Sequence, residues 1–456
     1  MLEQTGLKIQ SQRLLAALAA AGANVEDARQ VARFPRRLIE GLVEERRQRV
    51  SAVPREAAEP ESQYRVGLSG VIAPHFHDYP ARNVRPASRA DLLETIKWAE
   101  VYLSRERHVD LAVTMSELPP QVEPVEAYAL LLQHTSRPGI AYTTDASQIP
   151  YLVEIAEVYH GRKVFPRGPD FLTSPLTVSA RLAEHSLAAL DFGQRHFAFG
   201  VMPISGGNAP ITIAGNVVQS AAEWLGLCTA VRAIAPDSTF SFAACNGIVD
   251  MRKGTASFNA PEALLADLGV VELVDRRYGG DAHVAAGPDY IDAALPGMQA
   301  AFERTYRAMA IAAFAGEHFR LGGQGTLDAG QVFSPVQFIL EQEMGEMLWR
   351  FGQGIEVSEE TLAVDTIAQV RPDEGRSFLD CEHTLRHFRA TWFPKLLYRG
   401  EYAGDAVEQA RDQTMLDAAY DTYRGAVARY TQPELASETQ REIARIVERA
   451  RHALVV

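Results

Sequence analysis

The sequence predicts an α/β fold, namely a (β/α)8 TIM barrel with an N-terminal helical extension and C-terminal helices. Short apolar runs rich in β-branched and aromatic residues alternate with longer amphipathic segments, at intervals of roughly 30 to 45 residues. This alternation predicts parallel strands that are joined by helical crossovers. No G-x-G-x-x-G motif follows the first run, which favours a closed barrel over an open nucleotide-binding sheet.

Residues 1–67 are predicted to form an N-terminal helical segment and a connector. Leucines recur at helical spacing before Gly22, which ends the first helix, and Pro35 opens a second helix. Residues 51–68 are polar and contain proline, as is typical of a connector.

The barrel is predicted to span residues 68–400, and residues 401–456 are predicted to form a C-terminal helical extension. Seven strands are assigned to the runs 109–115, 139–144, 171–179, 196–204, 239–249, 282–287 and 318–325. An eighth strand is expected after residue 370. Helices are expected at 90–105, 150–159, 213–235, 261–268 and 296–316.

The composition excludes several classes of protein. There are 45 lysine and arginine residues against 58 aspartate and glutamate residues, a formal net charge of −13. An acidic surface repels phosphate backbones and anionic lipid, so we expect no nucleic-acid partner and no membrane partner. We expect a homo-oligomer, because barrels of this size often associate.

The cysteines and the N-terminus indicate a cytoplasmic protein. Cys228, Cys245 and Cys381 lie far apart in the chain and show none of the spacings of a zinc site or a disulfide framework. We expect free thiols in a reducing compartment. The first residues lack a basic region followed by an apolar stretch, so no signal peptide is predicted.

In a barrel, the chemistry lies where the strands end. After the fourth run, Gly206 and Gly207 would let the backbone approach a ligand closely, with Ser205 and Asn208 as neutral polar groups beside them. The structural alternative is a tight turn with Thr212 as a helix cap.

After the fifth run, Asp250 and Arg252 lie two residues apart in a loop. A structural ion pair and a pair that orients the mouth of the barrel are both open interpretations.

After the sixth run, Asp289 and Asp292 flank Tyr290 beside a Gly-Pro turn. A carboxylate beside an aromatic face is suited to a cation, especially a quaternary ammonium. The alternative is that Asp292 caps a helix and Tyr290 covers the core.

After the seventh run, four glycines fall within residues 322–330, more than a turn requires. They indicate close approach by a flat or bulky ligand, or a mobile loop.

Two histidine clusters were considered as metal sites. His383 and His387 have i, i+4 spacing, which can bind zinc when a third ligand is available, but Arg386 and Arg389 would oppose a cation. Residues 75–80, with two histidines and an aspartate, are interpreted as a surface turn. We therefore expect no directly bound metal.

Several blocks make the chain resemble the trimethylamine methyltransferase superfamily, specifically members that lack pyrrolysine, such as glycine betaine methyltransferases. The matching blocks are VRPAS (84–88), MPISGGNAPITIAG (202–215), DMRKG (250–254), SFNAPE (257–262), DAALPGMQAAFE (292–303), GTLDAGQVFSPVQFILEQE (325–343), RFGQGIEV (350–357), FLDCEHTLRHFR (378–389) and WFP (392–394). The resemblance runs from the N-terminal helices to about residue 400.

The resemblance implies a barrel that passes a methyl group from a methylated amine to the cobalt of a corrinoid (cobalamin) carried by a small partner protein. The region that holds pyrrolysine in relatives consists of ordinary residues here, around 287–292. This departure favours a quaternary amine of the betaine type, because such a donor leaves as a neutral amine without a general acid. The enzyme would then position the methyl carbon and exclude water.

Two further blocks depart from the family pattern. Relatives read Thr-Asp-x-Lys where this chain has Ile291-Asp292-Ala293-Ala294, so the acid remains while the threonine and lysine are absent. Relatives also tend to carry a histidine before the seventh-strand glycines, where His318 and Arg320 lie nearby.

The resulting hypothesis assigns three sets of residues. Tyr290, Asp292 and Phe333 would hold the cationic head, with Asp292 and Asp250 as candidate catalytic groups. Arg252 would pair with a substrate carboxylate, and Ser205, Asn208 and Gln324 would contact the substrate's polar end or the corrinoid edge. The macrocycle would approach Gly206, Gly207, Gly322, Gly323 and Gly325.

Two alternatives remain. One is a methyltransferase with another methyl donor or with an acceptor that is not a corrinoid. The other is a barrel that binds a small cation without turnover.

Overall fold

The computed structural model describes residues 1–52, 67–68, 71–168, 170–285, 287, 289–315, 325–370, 375, 377–397 and 412–455. The predicted run 318–325, apart from Gly325, lies outside these residues, as does most of the predicted connector.

The strands are β1 (Leu7–Ile9), β2 (Asn24–Glu26), β3 (Val31–Arg33), β4 (His75–Asp78), β5 (Asn83–Pro86), β6 (Phe171–Leu172), β7 (Thr177–Val178), β8 (His196–Val201), β9 (Ile204–Ser205), β10 (Thr239–Ala244), β11 (Gly247–Asp250), β12 (Thr255–Ser257), β13 (Ala282–Val284), β14 (Thr326–Leu327) and β15 (Val332–Phe333).

The helices are α1 (Gln12–Ala20), α2 (Arg36–Ala52), α3 (Arg89–Tyr102), α4 (Glu123–His134), α5 (Ile149–His160), α6 (Ala180–Phe192), α7 (Ile213–Ile234), α8 (Pro261–Arg277), α9 (Met298–Ala315), α10 (Pro335–Gly352), α11 (Glu359–Leu362), α12 (Val364–Gln369), α13 (Glu382–His387), α14 (Asp412–Ala428) and α15 (Ser437–Leu454). All five helices predicted within the barrel are present, with ends shifted by a few residues or, for α8, extended.

Parallel pairings place eight segments side by side in chain order. β15 pairs with β4, and β6, β8, β10 and β13 pair in succession. Single parallel bridges complete the order, namely Ala73 to Val113, Val109 to Pro138 and Tyr142 to Arg167. The architecture is therefore α/β with a mainly parallel arrangement, as predicted.

The seam between β13 and β15 is bridged by loops. The main-chain N–H groups of Asp328 and Ala329 donate to the carbonyls of Ala293 and Ile291, at 2.8 and 2.7 Å. No ladder pairing between β13 and β15 occurs among the residues that the structure describes.

Two details of the strand prediction are wrong. The eighth segment lies at residues 73–78, before the first predicted run, whereas residues 377–397 and 412–455 contain helices and turns. The N-terminal region is also more than helical, because β1 pairs in parallel with β7 and antiparallel with β3. Three-residue strands carry too short an alternation to be recognised in a sequence.

The two faces of the parallel strands differ sharply. On β8, Phe197 and Phe199 are buried in a core shared with the outer helices. Ala198 lies between them on the opposite face and is exposed, although β6 and β10 flank its strand on both sides. The inner face is therefore open at Ala198, whereas Ser241 and Ala243 on the same face of β10 are buried, and the large core lies between strands and helices.

The C-terminal helices cover one side of this layer. α14 packs against α3 and α10, and α15 packs against α4 and α5. Tyr423 of α14 stacks edge-on against Trp98 of α3, with ring centroids 5.9 Å apart. Helices in the described parts of the chain are all too short or too polar to cross a bilayer.

Candidate active site

An apolar and aromatic cluster lies at the carboxyl ends of β6, β8, β10 and β13. We call it the mouth cluster, and its principal members are Phe171, Met202, Cys245, Phe258, Ala285 and Tyr290. The rings of Phe258 and Tyr290 are tilted against each other, with centroids 5.6 Å apart. Rings gathered at strand ends present the π faces that attract a cation.

A glycine on β8 makes room for one of these rings. A Cβ atom at Gly200 would lie 2.4 Å from the ring of Phe171, which is far inside van der Waals contact. Gly200 pairs in register with Phe171 on the inner face of the strands. The absent side chain therefore allows the phenyl ring to lie flat across β8.

Asp170 adds a carboxylate directly beside this ring in the chain. Its side chain is open to solvent by area, yet surrounding protein raises its pKa to about 7, with Arg167 opposing the shift. Burial around this carboxyl group favours its protonated form more than for an ordinary aspartate. Sequence analysis missed Asp170, and its only signal was an acid immediately before an apolar run.

The loop that carries Tyr290 is held by a buried ionic network. Arg304 of α9 donates to Asp289 at 2.6 Å and lies 3.0 Å from Glu341 of α10. All three side chains are almost fully buried. Asp289 precedes Tyr290 directly, so this network determines where the aromatic ring points.

Burial raises the pKa of both carboxyl groups in this network, and Arg304 opposes the shift. Glu341 also accepts from the main-chain N–H of Gly325 at 2.8 Å and from Gln337 at 2.7 Å. Two acids facing one arginine favour retention of a proton by the pair.

A second buried arginine supports the other side of the mouth. Arg307 lies 3.7 Å from Asp267 and donates to the carbonyl oxygens of Phe258 and Gly287. Burial raises the pKa of Asp267 to about 7, against the effect of Arg307. Arg307 thus joins the segment of Phe258 to the loop that follows β13.

Sequence analysis also missed the buried acid Glu223, in the middle of α7. Its carboxylate accepts from Ser174 Oγ at 2.7 Å and from the Leu176 N–H at 2.8 Å, and so holds the loop after β6. Burial raises its pKa, and these hydrogen bonds oppose the shift. A lone carboxylate within an apolar helix was the available signal.

Asp292 bonds to the chain segment that carries Phe258 of the mouth cluster. Its carboxylate accepts from Ser257 Oγ and, at 3.2 Å, from the Phe258 N–H. Its own N–H donates to Glu303 at 2.8 Å. In this arrangement Asp292 connects β12 to α9, and its contact with a substrate remains a proposal.

The structure does not bring Phe333 to Tyr290. Phe333 is buried in the core between strands and helices, with its ring centroid 6.3 Å from that of Trp98. The expected grouping of Tyr290, Asp292 and Phe333 in one cup is therefore wrong for Phe333. β15 has only two residues, so the sequence alone does not indicate which way the Phe333 side chain points. Its pairing with β4 sets that direction.

The loop after β8 is tied together internally. Ser205 is buried and accepts from Asn216 at 2.7 Å, while Asn208 accepts from the Ile204 N–H at 2.6 Å. Gly206 and Gly207 are exposed at the tip of this loop. The polar groups shape the loop, and the glycine backbone remains open at the rim.

Asp250 and Arg252 form an ion pair at 3.2 Å in the hairpin turn between β11 and β12. The Arg252 side chain is 89% exposed, and its guanidinium lowers the pKa of Asp250. The geometry matches the structural interpretation, so a role in binding substrate remains a proposal for both residues.

The seventh glycine block is described only in part. Gly322, Gly323 and Gln324 lie outside the described residues. Gly325 has φ +85°, and a Cβ atom there would lie 2.9 Å from the Ser334 carbonyl oxygen. The conformation of the turn itself therefore requires a glycine at position 325.

The interpretation of residues 75–80 as a surface turn is wrong at its start, because His75–Asp78 is strand β4. His77 is buried, with Nδ1 3.0 Å from Ser334 Oγ, and burial lowers its pKa to about 4. The rings of His383 and His387 lie 4.4 Å apart. In the part of the chain described, no three acidic, histidine or cysteine side chains are grouped to hold a metal.

Comparison with known proteins places this geometry in context. Residues 1–454 match the family model described as trimethylamine methyltransferase (MTTB). The trimethylamine methyltransferase MttB of Desulfitobacterium hafniense is 26% identical over 465 residues, which cover 98% of this chain and 90% of that protein.

Other relatives match a shorter part. The trimethylamine methyltransferase MttB1 of Methanosarcina acetivorans is 29% identical over 61% of this chain and 54% of its own length. The glycine betaine methyltransferase of Desulfitobacterium hafniense is 27% identical over 63% of this chain and 59% of its own length. Both relatives are named as methyltransferases, one of trimethylamine and the other of glycine betaine.

Proposed function

We propose, because this chain belongs to the trimethylamine methyltransferase family, that it moves a methyl group from a quaternary amine of the betaine type to a corrinoid on a separate small protein. The mouth cluster is the observation that carries the proposal. It gathers two neighbouring rings, Phe258 and Tyr290, with Phe171 packed into the same cluster at the strand ends.

The proposal includes a closed (β/α)8 barrel. Seven parallel junctions already follow one order from β4 to β13 and from β15 to β4. We infer that closure occurs at the seam where residues 291–293 bond to residues 328–329. Closure would make the inner face of β8 and β10 the wall of a substrate chamber.

Aromatic rings suit a quaternary ammonium better than a simple amine. A quaternary nitrogen has no N–H to donate, so its binding rests on π faces, dispersion and the surrounding field. Burial raises the pKa of Tyr290 and keeps its ring neutral.

The reaction requires little acid–base chemistry from the chain. The bond between the methyl carbon and nitrogen breaks, its electron pair stays on nitrogen, and a neutral tertiary amine leaves without a proton. The residues of the mouth cluster would orient the methyl group outward and exclude water. Positioning of this kind can account for roughly 7 kcal/mol or more of a barrier.

The rim fits the proposed acceptor. The backbone of Gly206 and Gly207 is exposed, and the exposed side chains of Ile211 and Met251 lie beside Gly206, so the rim offers an apolar surface that a flat macrocycle can approach. A reduced corrinoid would supply the nucleophilic cobalt that accepts the methyl carbon. Asn208 supports that rim through its bond to Ile204.

The function is tested by mixing the protein with reduced cobalamin and one methyl donor at a time. We expect the cobalt absorbance spectrum to change with glycine betaine and to stay unchanged with trimethylamine at equal concentration. Turnover of trimethylamine alone would contradict the proposed donor class. Calorimetric binding of betaine together with an unchanged spectrum would favour the non-catalytic cation-binding alternative.

Two variants test the site itself. Tyr290→Ala removes the ring and should raise KM for betaine about 30-fold, since a desolvated cation–π contact is worth about 2 kcal/mol. Tyr290→Phe retains the ring and should stay within about threefold of the original KM. Phe192→Ala, on α6 away from the mouth, is the matched control. Equal effects of Tyr290→Ala and Tyr290→Phe would remove the ring from the binding site.

A further inference from the structure

Helix α9 buries its charged side chains and exposes apolar ones, which is the reverse of an ordinary surface helix. Its three charged side chains, Glu303, Arg304 and Arg307, all point into the protein, where they bond to Ala293, Asp289 and Asp267. Arg304 and Arg307 are almost completely buried. A surface helix normally presents such residues to water and buries its apolar stripe.

The outward face of α9 is apolar instead. Met298, Phe302, Tyr306 and Met309 are all exposed, Phe302 to 71%. At 100° per residue these four positions fall within about 80° of the helix circumference, so they form one stripe. No charged residue of α9 lies on this stripe.

An apolar groove adjoins the stripe. A cavity of about 330 Å³ lies between α9, α10, residues 396–397 and α14. Its lining includes Met298, Leu340, Met344, Met347 and Leu416. The stripe and the groove share Met298, and together we call them the α9 face.

A second apolar surface follows in the chain. We define the arm as residues 353–370, which include α11 and α12. It exposes Ile355, Val357, Leu362, Val364 and Ile367, with Ile355 90% exposed. Of the 28 exposed large hydrophobic side chains in the described residues, 19 lie within residues 295–397, so the exposure is concentrated rather than scattered.

We propose that the α9 face binds the arm of a second copy of this chain, and that the contact is reciprocal. One chain supplies both apolar surfaces, which is what a two-fold interface requires of its two partners. The exposed parts of Met298, Phe302, Tyr306, Met309, Met347, Ile355 and Val357 amount to roughly 800 Å² per subunit, close to the ~800 Å² per partner of a standard interface.

The proposed function distinguishes this partner from the corrinoid protein. A carrier must leave after each transfer, and transient interfaces are no more apolar than ordinary surface. The α9 face lies on the helix side of the strands, whereas the carrier must reach the strand ends. A stripe without charges suits a permanent contact between identical chains.

Sedimentation velocity of the full chain, without substrate, tests the proposal. We expect an even-numbered assembly, and Phe302→Asp should weaken it by roughly a hundredfold, since central apolar contacts carry much of the binding energy. Leu265→Asp on α8, also at an exposed apolar position, is the matched control and should leave the assembly intact. A monomeric or odd-numbered wild type, or an assembly that withstands Phe302→Asp, would overturn the proposal.

Cross-linking tests the pairing with variants that keep the fold. In a Cys381→Ser background, Met309→Cys chains are mixed with differently tagged Ile355→Cys chains and treated with a short bismaleimide. Cys228 and Cys245 are buried and should stay unreactive. We expect the mixed product at least tenfold above that from Leu265→Cys with Ile355→Cys. Equal yields would overturn the pairing, whatever the outcome of the methyl-transfer assay.

Discussion

The two ends of the parallel strands use buried arginines in different ways. At the amino ends, Arg46 of α2 donates to the main-chain carbonyls of Phe240, Tyr278 and Gly280 at 2.5 to 2.9 Å, and stacks over Trp224 at 4.8 Å. At the carboxyl ends, Arg304 and Arg307 pair with carboxylates.

The difference separates closure from positioning. Arg46 satisfies neutral carbonyl groups, and burial lowers its pKa. It joins α2 to the starts of β10 and β13 and needs no partner of opposite charge. The arginines at the carboxyl ends stand behind the mouth cluster and hold Asp289 and Phe258. Arg304 and Arg307 bond to both carboxylates and carbonyl groups, whereas the hydrogen bonds of Arg46 go to carbonyl groups.

The largest effect should come from breaking the network at the carboxyl ends. Arg304→Met leaves Asp289 and Glu341 buried without their cation and should lower the free energy of unfolding by about 3–5 kcal/mol. Urea denaturation measures the change. A loss below that of an exposed arginine would mean that the network contributes little to the fold.

The carboxyl end should also be the pH-sensitive end, through His77 on β4. Its pKa of about 4 in the folded state lies below the ordinary 6.5, so the unfolded state binds the extra proton first. The stability contributed by neutral His77 is present above pH 6.5 and is lost as the pH falls towards 4, by up to about 3 kcal/mol.

Denaturation of His77→Gln and the wild type between pH 4 and 7 measures this contribution. We expect the wild type to lose stability relative to the variant as the pH falls. His196→Gln, at the exposed amino end of β8, is the control. Parallel pH profiles for wild type and His77→Gln would contradict the prediction.

At the amino ends, Arg46→Met should cost about 2 kcal/mol, since it removes hydrogen bonds from carbonyl groups but strands no opposite charge. The methyl-transfer rate per folded molecule should stay unchanged, because Arg46 lies at the end remote from the mouth cluster. A rate loss equal to that of Arg304→Met would abolish the distinction between the two ends.

A smaller change probes the inner wall. Gly200→Ala would place a methyl group against the Phe171 ring and should cost about 1–2 kcal/mol, with the ring pushed into the chamber. We expect KM for betaine to rise while kcat changes less. Gly269→Ala on α8, where the added carbon approaches only Val217, is the matched control. An unchanged KM would place Phe171 outside the substrate chamber.

The smallest effect is expected at the exposed pair. Arg252→Met should leave the free energy of unfolding almost unchanged, since solvent screens an exposed ion pair. KM for betaine measured with the same protein tests its proposed contact with the substrate carboxylate. A large increase in KM would restore Arg252 to the site.

Much of the fold could be predicted because it depends on local patterns. The helices at 90–105 and 213–235 are present as α3 and α7, since apolar periodicity reports which face of a helix is covered. The run 239–249 contains β10 and all but the last residue of β11, because a short apolar run is also a local signal for a buried strand. The single bridges at Val113 and Tyr142 were expected as full strands, but Pro138 interrupts the ladder between them.

The site could be predicted only in part. Tyr290 was proposed because an aromatic ring beside acids after a strand is a local signal; it lies in the mouth cluster, and its contact with a substrate stays a prediction. Phe333 looked equally suitable, but the register of β15 against β4 turns it into the helix-side core. Asp170 and Glu223 carried weak local signals, and their surroundings come from distant segments.

By itself, the sequence determined the α/β alternation, the acidic composition and the family to which the chain belongs, because each is written in local periodicity, residue counts or contiguous blocks. Only the tertiary structure decided which partners the charged side chains meet. The pattern of α9 alone would place Arg304 and Arg307 towards water. They are buried because they pair with Asp289 and Asp267, which come from other parts of the chain and lie on the buried side of the helix. A buried charge is tolerated only where it has such a partner.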